Sequence, residues 1–196
     1  MTQRLERRRS GPSILAPVSD RGEEGSDAAA GRIRELVRKA QGGEADAFGV
    51  LYSLYHEPIF RLARLHAPEA ADDVASEVFV RAWRGLPRYR DVGKPFLAWL
   101  YGIAHHVLSD ELAKRRRERS RSDLPDRVSA WAEDDRLAIA QAMEGLPGDQ
   151  RRVLEMKFFL GMRNPEVASI LGKTIGAVNA LQWRGLGAMR ETLERE

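Results

Sequence analysis

Cysteine is missing from this chain altogether. Its absence excludes disulfides, thiol catalysis and thiolate metal sites, and suits a reducing compartment. Lysine is nearly as scarce, with 5 residues against 27 arginines. A base chosen so one-sidedly favours the planar, bidentate and stacking contacts that guanidinium makes with phosphate or carboxylate. No window approaches the roughly 18 uninterrupted apolar residues of a membrane span, so no membrane insertion is expected. The opening MTQRLERRRS is basic but runs into the Pro- and Gly-broken GPSILAPVSD instead of an apolar run of about 7 to 15 residues, so no signal peptide is expected. The expected location is cytoplasmic. Histidine occurs only as His56, His66, His105 and His106, with no HExxH or comparable ligand spacing. Adjacent His105 and His106 point about 100° apart on a helix. Nucleophile motifs built on Ser or Asp are absent too, so neither an enzyme, a metal nor a cofactor is expected.

What is present is helical periodicity in two blocks. With 196 residues and 43% hydrophobic content, the chain can form one large or two small domains with real cores. The net charge is only +3 because acidic and basic residues nearly balance. Residues 1–27 mix Arg, acidic residues, Pro and Gly without a sustained period and read as a flexible tail. From Ala28 a helical pattern begins, with Ile33, Leu36, Val37 and Ala40 before the Gly42-Gly43 break. A second segment runs from Ala45 to Leu65, and Pro58 is expected to kink or divide it.

The next helix, about Glu69 to Arg84, carries the stripe Ala71, Val74, Ala75, Val78 and Ala82. Asp72 and Asp73 occupy its first turn, where the helix dipole favours acids. Phe79 and Trp83 fall on a second face, which fits either a wide bundle interior or a partner surface. After the loop Pro87 to Lys94 comes PFLAWLYGIAHHVLSDELAKRRR, from Pro95 to Arg117. Phe96, Leu97, Leu100, Tyr101, Ile103, Ala104, Val107, Leu108 and Leu112 share one broad arc of this helix. Trp99, His105, His106 and Asp110 lie outside that arc, ahead of the basic run Lys114-Arg115-Arg116-Arg117. An aromatic beside a basic tail suits stacking on bases and neutralising phosphate, and it equally suits a core helix with a solvated end.

Residues 118–136 read as a linker, polar and broken by Pro125. A second helical block follows at 137–196. Leu137, Ile139, Ala140 and Met143 mark one helix, and Val153, Leu154, Met156, Phe158 and Phe159 a second. Asn164-Pro165-Glu166 reads as an N-cap followed by proline in the first helical position. Gly172 ends this short helix and Thr174 caps another through about Leu193. Two helices joined by a Gly-containing turn make a helix-turn-helix pattern. The fold class expected is all-α, two small helical domains joined by a flexible linker.

In this order the segments resemble the extracytoplasmic-function group of bacterial RNA polymerase sigma factors. AADDVASEVFVRAWRGLPRYR is similar to the family's helix that grips the polymerase β′ clamp helices. The Pro95 to Arg117 stretch is similar to its promoter −10 reader. LPGDQRRVLEMKFFLGMRNPEVASILGKTIGAVNALQWRGLGAMR is similar to its −35 reader. The run LPRYRD.G.PFLA.LYGIA resembles the subgroup that includes mycobacterial sigma D. The resemblance makes residues 28–117 a region 2 domain and residues 137–196 a region 4 domain.

It further implies roles for particular residues. Asp72, Asp73, Glu77, Phe79 and Trp83 match the core-polymerase-binding helix, with Ser76 where the family often has Gln. Arg88, Tyr89, Arg90 and Lys94 match the loop that captures an extruded −10 base. Trp99 matches the aromatic at the edge of the melted duplex, and His105, His106, Asp110, Lys114 and Arg115 continue that −10 surface, with His106 replacing a frequent Asn. Lys173, Thr174, Asn179, Gln182, Trp183 and Arg184 match the −35 reader. Positions often basic in the family are Asn179 and Leu181 here, so a weaker electrostatic contribution is expected at −35. The implied partners are core RNA polymerase, through its β′ clamp helices and β flap, promoter DNA and an anti-sigma factor. A stand-alone helix-turn-helix regulator explains the second block equally well. It does not predict a basic, Trp-bearing helix in the first.

Overall fold

The computed structural model describes residues 23–119 and 134–195, which form eight α-helices and no strand. Most of the expected tail and linker lies outside the described residues. α1 (Glu23–Gln41) begins ahead of the expected start at Ala28. α2 spans Ala45–His66 without a break, so the expected division at Pro58 does not occur. The carbonyl that the proline leaves without a helical donor belongs to Leu54, four residues earlier. Leu54 lies on the exposed side of α2, where water can satisfy that carbonyl.

A 3₁₀ turn at Pro68–Ala70 leads into α3 (Ala71–Gly85), and a second at Leu86–Arg88 leaves it. The whole stripe Ala71, Val74, Ala75, Val78 and Ala82 is buried as expected. Phe79 is buried too, so the second face of α3 is split: Phe79 belongs to the interior and Trp83 to the surface. α4 (Phe96–Arg119) packs its apolar arc onto α2 and α3. Leu51, Ile59, Leu62, Leu86 and Leu100 are wholly removed from solvent in this first core. Each such side chain contributes about 1.5–3 kcal/mol of transfer free energy.

The second core is smaller and is built by α5 (Asp134–Glu144), α6 (Gly148–Leu154), α7 (Asn164–Leu171) and α8 (Ile175–Leu193). The Arg151 guanidinium donates to the carbonyls of Met143 and Leu146, at 3.0 and 3.1 Å, satisfying the end of α5. α6 continues into a π turn, Glu155–Phe159, which widens the helix before Gly161 reverses the chain at φ 68°. α8 approaches α6 closely at Gly185, where an added Cβ would lie 3.1 Å from Leu154 Cδ1.

Asn164 is not the N-cap of α7. Arg163 holds that position in extended conformation, and its backbone N–H donates to the Glu166 carboxylate at 2.7 Å. Asn164 is thereby the first helical residue and its side chain is released to bond α8. The other expected caps are present. Gly172 ends α7 in the left-handed region at φ 63°, and Thr174 Oγ1 accepts from the Ala177 N–H at 3.1 Å. The two domains pack together, with α2 set against α5 and the π turn.

Candidate nucleic-acid interface

Helical spacing on α3 places Asp72 and Asp73 on the open surface, one turn before half-buried Glu77. Glu77 accepts from Arg81 Nε at 2.7 Å, and the same guanidinium reaches Asp110 of α4 at 3.0 Å. Asp110, expected on the DNA-facing surface, is therefore exposed but already paired across the α3–α4 groove. Trp83 packs edge-on to Phe48 at 4.9 Å and stays 40% exposed. Phe79 is enclosed by Phe48, Tyr52 and His56. It acts from beneath this surface by supporting the rings above it. Val50, Tyr52 and Leu54 of α2 and Val80 of α3 are exposed large apolar residues of the same two helices. Helical periodicity marks none of them as a surface residue, and it counts Tyr52 with the apolar pattern of α2.

The loop before α4 is held by side chains that sequence periodicity does not reveal. The Gln41 amide donates to the carbonyls of Leu86 and Tyr89, at 3.0 and 2.8 Å, tying α1 to the loop's start. Asp91 accepts from the Gly93 N–H at 2.8 Å, and Gly93 takes the left-handed φ of 74° that closes the turn. The Tyr89 ring sits 4.8 Å from Trp99 and 5.4 Å from Phe96. Trp99 also touches Gly85, where a Cβ would come within 3.3 Å of its ring. The indole is thus half-buried and held in an aromatic cluster. Arg88, Arg90 and Lys94 are exposed around this cluster. Lys94 Nζ donates to the Ile170 carbonyl of α7 at 3.3 Å.

Along α4, His106 is exposed, whereas His105 is half-buried and faces the second domain. Lys114 and Arg115 both pair with Glu111, at 3.8 and 3.0 Å, and Arg115 also approaches Glu69 at 3.6 Å. Their charge is partly neutralised locally.

On the helix-turn-helix, Trp183 is 80% exposed and Arg184 is exposed beside it. Gln182 is half-buried. Lys173 pairs with Asp149 at 2.9 Å, and Asn179 accepts from the Asn164 side chain, locking α8 to α7. Thr174 is occupied as the cap of α8.

A further cluster was not expected from the sequence. Glu155 is the one buried charged residue among the described residues. Its Oε1 lies 2.9 Å from His66 Nε2, and its Oε2 lies 3.0 Å from His105 Nε2 and 2.5 Å from Tyr101 Oη. A carboxylate only accepts, so the hydroxyl and both ring nitrogens donate. Burial by itself raises the Glu155 carboxyl, but the hydrogen bonds from His105, His66 and Tyr101 outweigh it and hold the group down at about 2. The Tyr101 phenol moves well above its usual range, through burial first and the neighbouring carboxylate second. The only hint in the sequence is one Glu inside the apolar run VLEMKFFL.

Residues 51–118 match the family model of Sigma-70 region 2, and residues 136–187 match that of Sigma-70, region 4. The chain is 34% identical over 178 residues to the ECF RNA polymerase sigma factor SigD of Mycobacterium tuberculosis, covering 83% of this chain and 84% of the relative. It is 32% identical over 180 residues to the ECF RNA polymerase sigma factor BldN of Streptomyces coelicolor, covering 86% and 68%. Among solved structures, CnrH in complex with the cytosolic domain of CnrY superposes with a TM-score of 0.64 at 26% identity, covering 84% of this chain and 99% of that one. The sigma factor RpoE, in complex with the anti-sigma factor NepR from Bartonella quintana, shares the fold at a TM-score of 0.54 and 22% identity, covering 75% and 96%.

Proposed function

The chain belongs to the extracytoplasmic-function group of RNA polymerase sigma factors, and from that premise we propose how its two domains divide the work of promoter-specific initiation. Supporting this division, an ordered aromatic cluster ringed by cations lies in the region 2 domain, and an exposed helix-turn-helix lies in the region 4 domain. Trp99 and Tyr89 stack on bases of the opened −10 strand, while Arg88, Arg90 and Lys94 meet its phosphates. Unstacking a base costs a few kcal/mol, and stacking on an aromatic returns about 1–3 kcal/mol per base, so the cluster offsets much of the cost of opening. Lys114 and Arg115 contribute less, being paired with Glu111. α8 enters the −35 major groove, with Gln182, Trp183 and Arg184 as its free contacts.

Core polymerase is met through Asp72, Asp73 and Glu77, with Trp83, packed on Phe48, as an apolar anchor. The regulatory partner is an anti-sigma factor, a class represented among the solved neighbours by NepR. All these roles are binding and strand capture, and none asks this chain for covalent chemistry.

Run-off transcription tests the reading: purified protein with bacterial core enzyme yields discrete promoter-specific transcripts from genomic fragments. Sequence-specific binding to duplex DNA without polymerase, and no association with core, would instead identify a stand-alone regulator.

A further inference from the structure

α1 reaches the loop before α4 chiefly through one side chain. Gln41, its last residue, is half-buried, and its amide nitrogen donates to the Leu86 carbonyl at 3.0 Å and to the Tyr89 carbonyl at 2.8 Å. A primary amide carries two N–H hydrogens, so each carbonyl takes one. Leu86 is wholly buried in the first core, and its carbonyl also accepts from the Tyr89 N–H at 3.0 Å. The amide therefore bridges the two ends of the 3₁₀ turn and ties Tyr89 to a point fixed in the core. Farther along the loop, Arg34 of α1 approaches Asp91 at 3.9 Å, an exposed pair that adds little.

The Tyr89 carbonyl belongs to the peptide that joins Tyr89 to Arg90. Holding that oxygen fixes the direction in which Arg90 leaves the turn and the placement of the Tyr89 ring against Trp99 and Phe96, at 4.8 and 5.4 Å. Arg88 lies inside the bridged turn. Three residues assigned above to the opened −10 strand are thus placed by an uncharged side chain from another helix. A loop held in this way has already lost backbone freedom that base capture would otherwise have to remove.

We propose that Gln41 is a positioning residue for −10 strand capture: its amide clamps the Leu86–Tyr89 turn so that Arg88, Tyr89 and Arg90 are presented to the extruded base in a fixed arrangement. This role rests on the −10 assignment made under Proposed function. Gln41 itself meets no base or phosphate and acts through Tyr89.

The experiment uses the full chain in preassembled holoenzyme, on a promoter found by run-off transcription. The forms compared are parent, Gln41→Glu, Gln41→Met, Tyr89→Ala, and each Gln41 change combined with Tyr89→Ala. Glutamate keeps the side chain's length but sets an acceptor against two acceptors, and methionine keeps the length without a donor. Binding of the single-stranded −10 non-template oligonucleotide should weaken by about tenfold for Gln41→Glu and about threefold for Gln41→Met, with closed-complex binding at the parent level. Hydrogen exchange over residues 86–93 of the free protein should quicken in both. In the Tyr89→Ala background either Gln41 change should cost less than it does alone, because it acts through that ring. If circular dichroism shows that Gln41→Glu does not fold, Gln41→Met carries the same comparisons. Parent-like strand capture by the Gln41 variants, with Tyr89→Ala impaired, would overturn the role. Capture and closed binding that fall together, or effects that add fully to Tyr89→Ala, would overturn it as well, since a general loss of structure does both. Parent-like capture by Tyr89→Ala would instead overturn the −10 assignment of the loop.

Discussion

The region 2 and region 4 domains present their candidate DNA-facing residues in different materials. In the first, Trp99 is fixed by Tyr89, Phe96 and Gly85, and Arg88 and Arg90 stand exposed beside it. In the second, Lys173 is held by Asp149 and Asn179 by Asn164, so α8 offers Trp183, Gln182 and Arg184 with little free positive charge. A stacking platform acts only on exposed bases, whereas a helix in a groove acts on intact duplex. On the proposed function, the difference gives opening to one domain and initial placement to the other.

The largest effect is expected where the comparison begins, at polymerase itself. Asp73→Arg with Glu77→Arg places like charge against a surface that receives acids, which costs several kcal/mol at a complementary interface. Core affinity should fall at least about tenfold in a pull-down titration while circular dichroism stays near parent, since the lost Glu77–Arg81 pair is worth only about 0.2–0.5 kcal/mol. Undiminished affinity would move the polymerase contact off α3.

Trp99→Ala is next and breaks the comparison on the region 2 side. It should cost about 1–3 kcal/mol of strand capture, seen as weaker permanganate reactivity of unpaired thymines, with closed-complex binding close to parent. Equal opening at matched occupancy would mean that the aromatic cluster packs beside the strand without holding it.

Arg184→Ala sharpens the other side. If the guanidinium meets a phosphate, binding should weaken across sequences and the salt slope should drop by about one; if it reads guanine, the loss should be about 1–3 kcal/mol at one base pair. Band shifts of preassembled polymerase at several salt concentrations separate the two. A variant that opens poorly but binds closed DNA normally would reverse the division of labour.

The smallest effect concerns the seam between the domains. The Glu155 carboxyl is depressed from its ordinary 4.5 to about 2 when docked. A depressed acid stabilises the docked state above its ordinary value and loses that contribution as pH falls through the docked one. The difference in melting temperature between parent and Glu155→Gln should therefore be present above about 4.5 and shrink from there toward about 2. A difference that grows over that interval would show that Glu155 is protonated in the seam.

Much of the fold was legible in the sequence because it is decided within a few residues. The apolar stripe of α3, the Asp72-Asp73 first turn, the left-handed Gly172 and the Thr174 cap all follow from spacing and backbone chemistry over one or two turns. The division at Pro58 and the cap at Asn164 misled for a related reason. A local rule states what a residue favours, and whether water meets Leu54, or whether Glu166 reaches back to Arg163, depends on which side of the helix is open. The resemblance named segments for the site, yet spacing alone left Phe79 and Trp83 together on one face, and packing against Phe48, Tyr52 and His56 separated them.

By itself, then, the sequence determined two helical domains, their order and the residue types proposed to meet nucleic acid, since periodicity, caps and composition act over short range. Tertiary structure alone decided which of those residues are free. Lys173, Asp110 and His105 are each engaged by a partner from another element, and the partners of Glu155 lie 50 to 89 residues away in the chain. A buried carboxylate gathers donors by proximity in space, and no local pattern records that proximity.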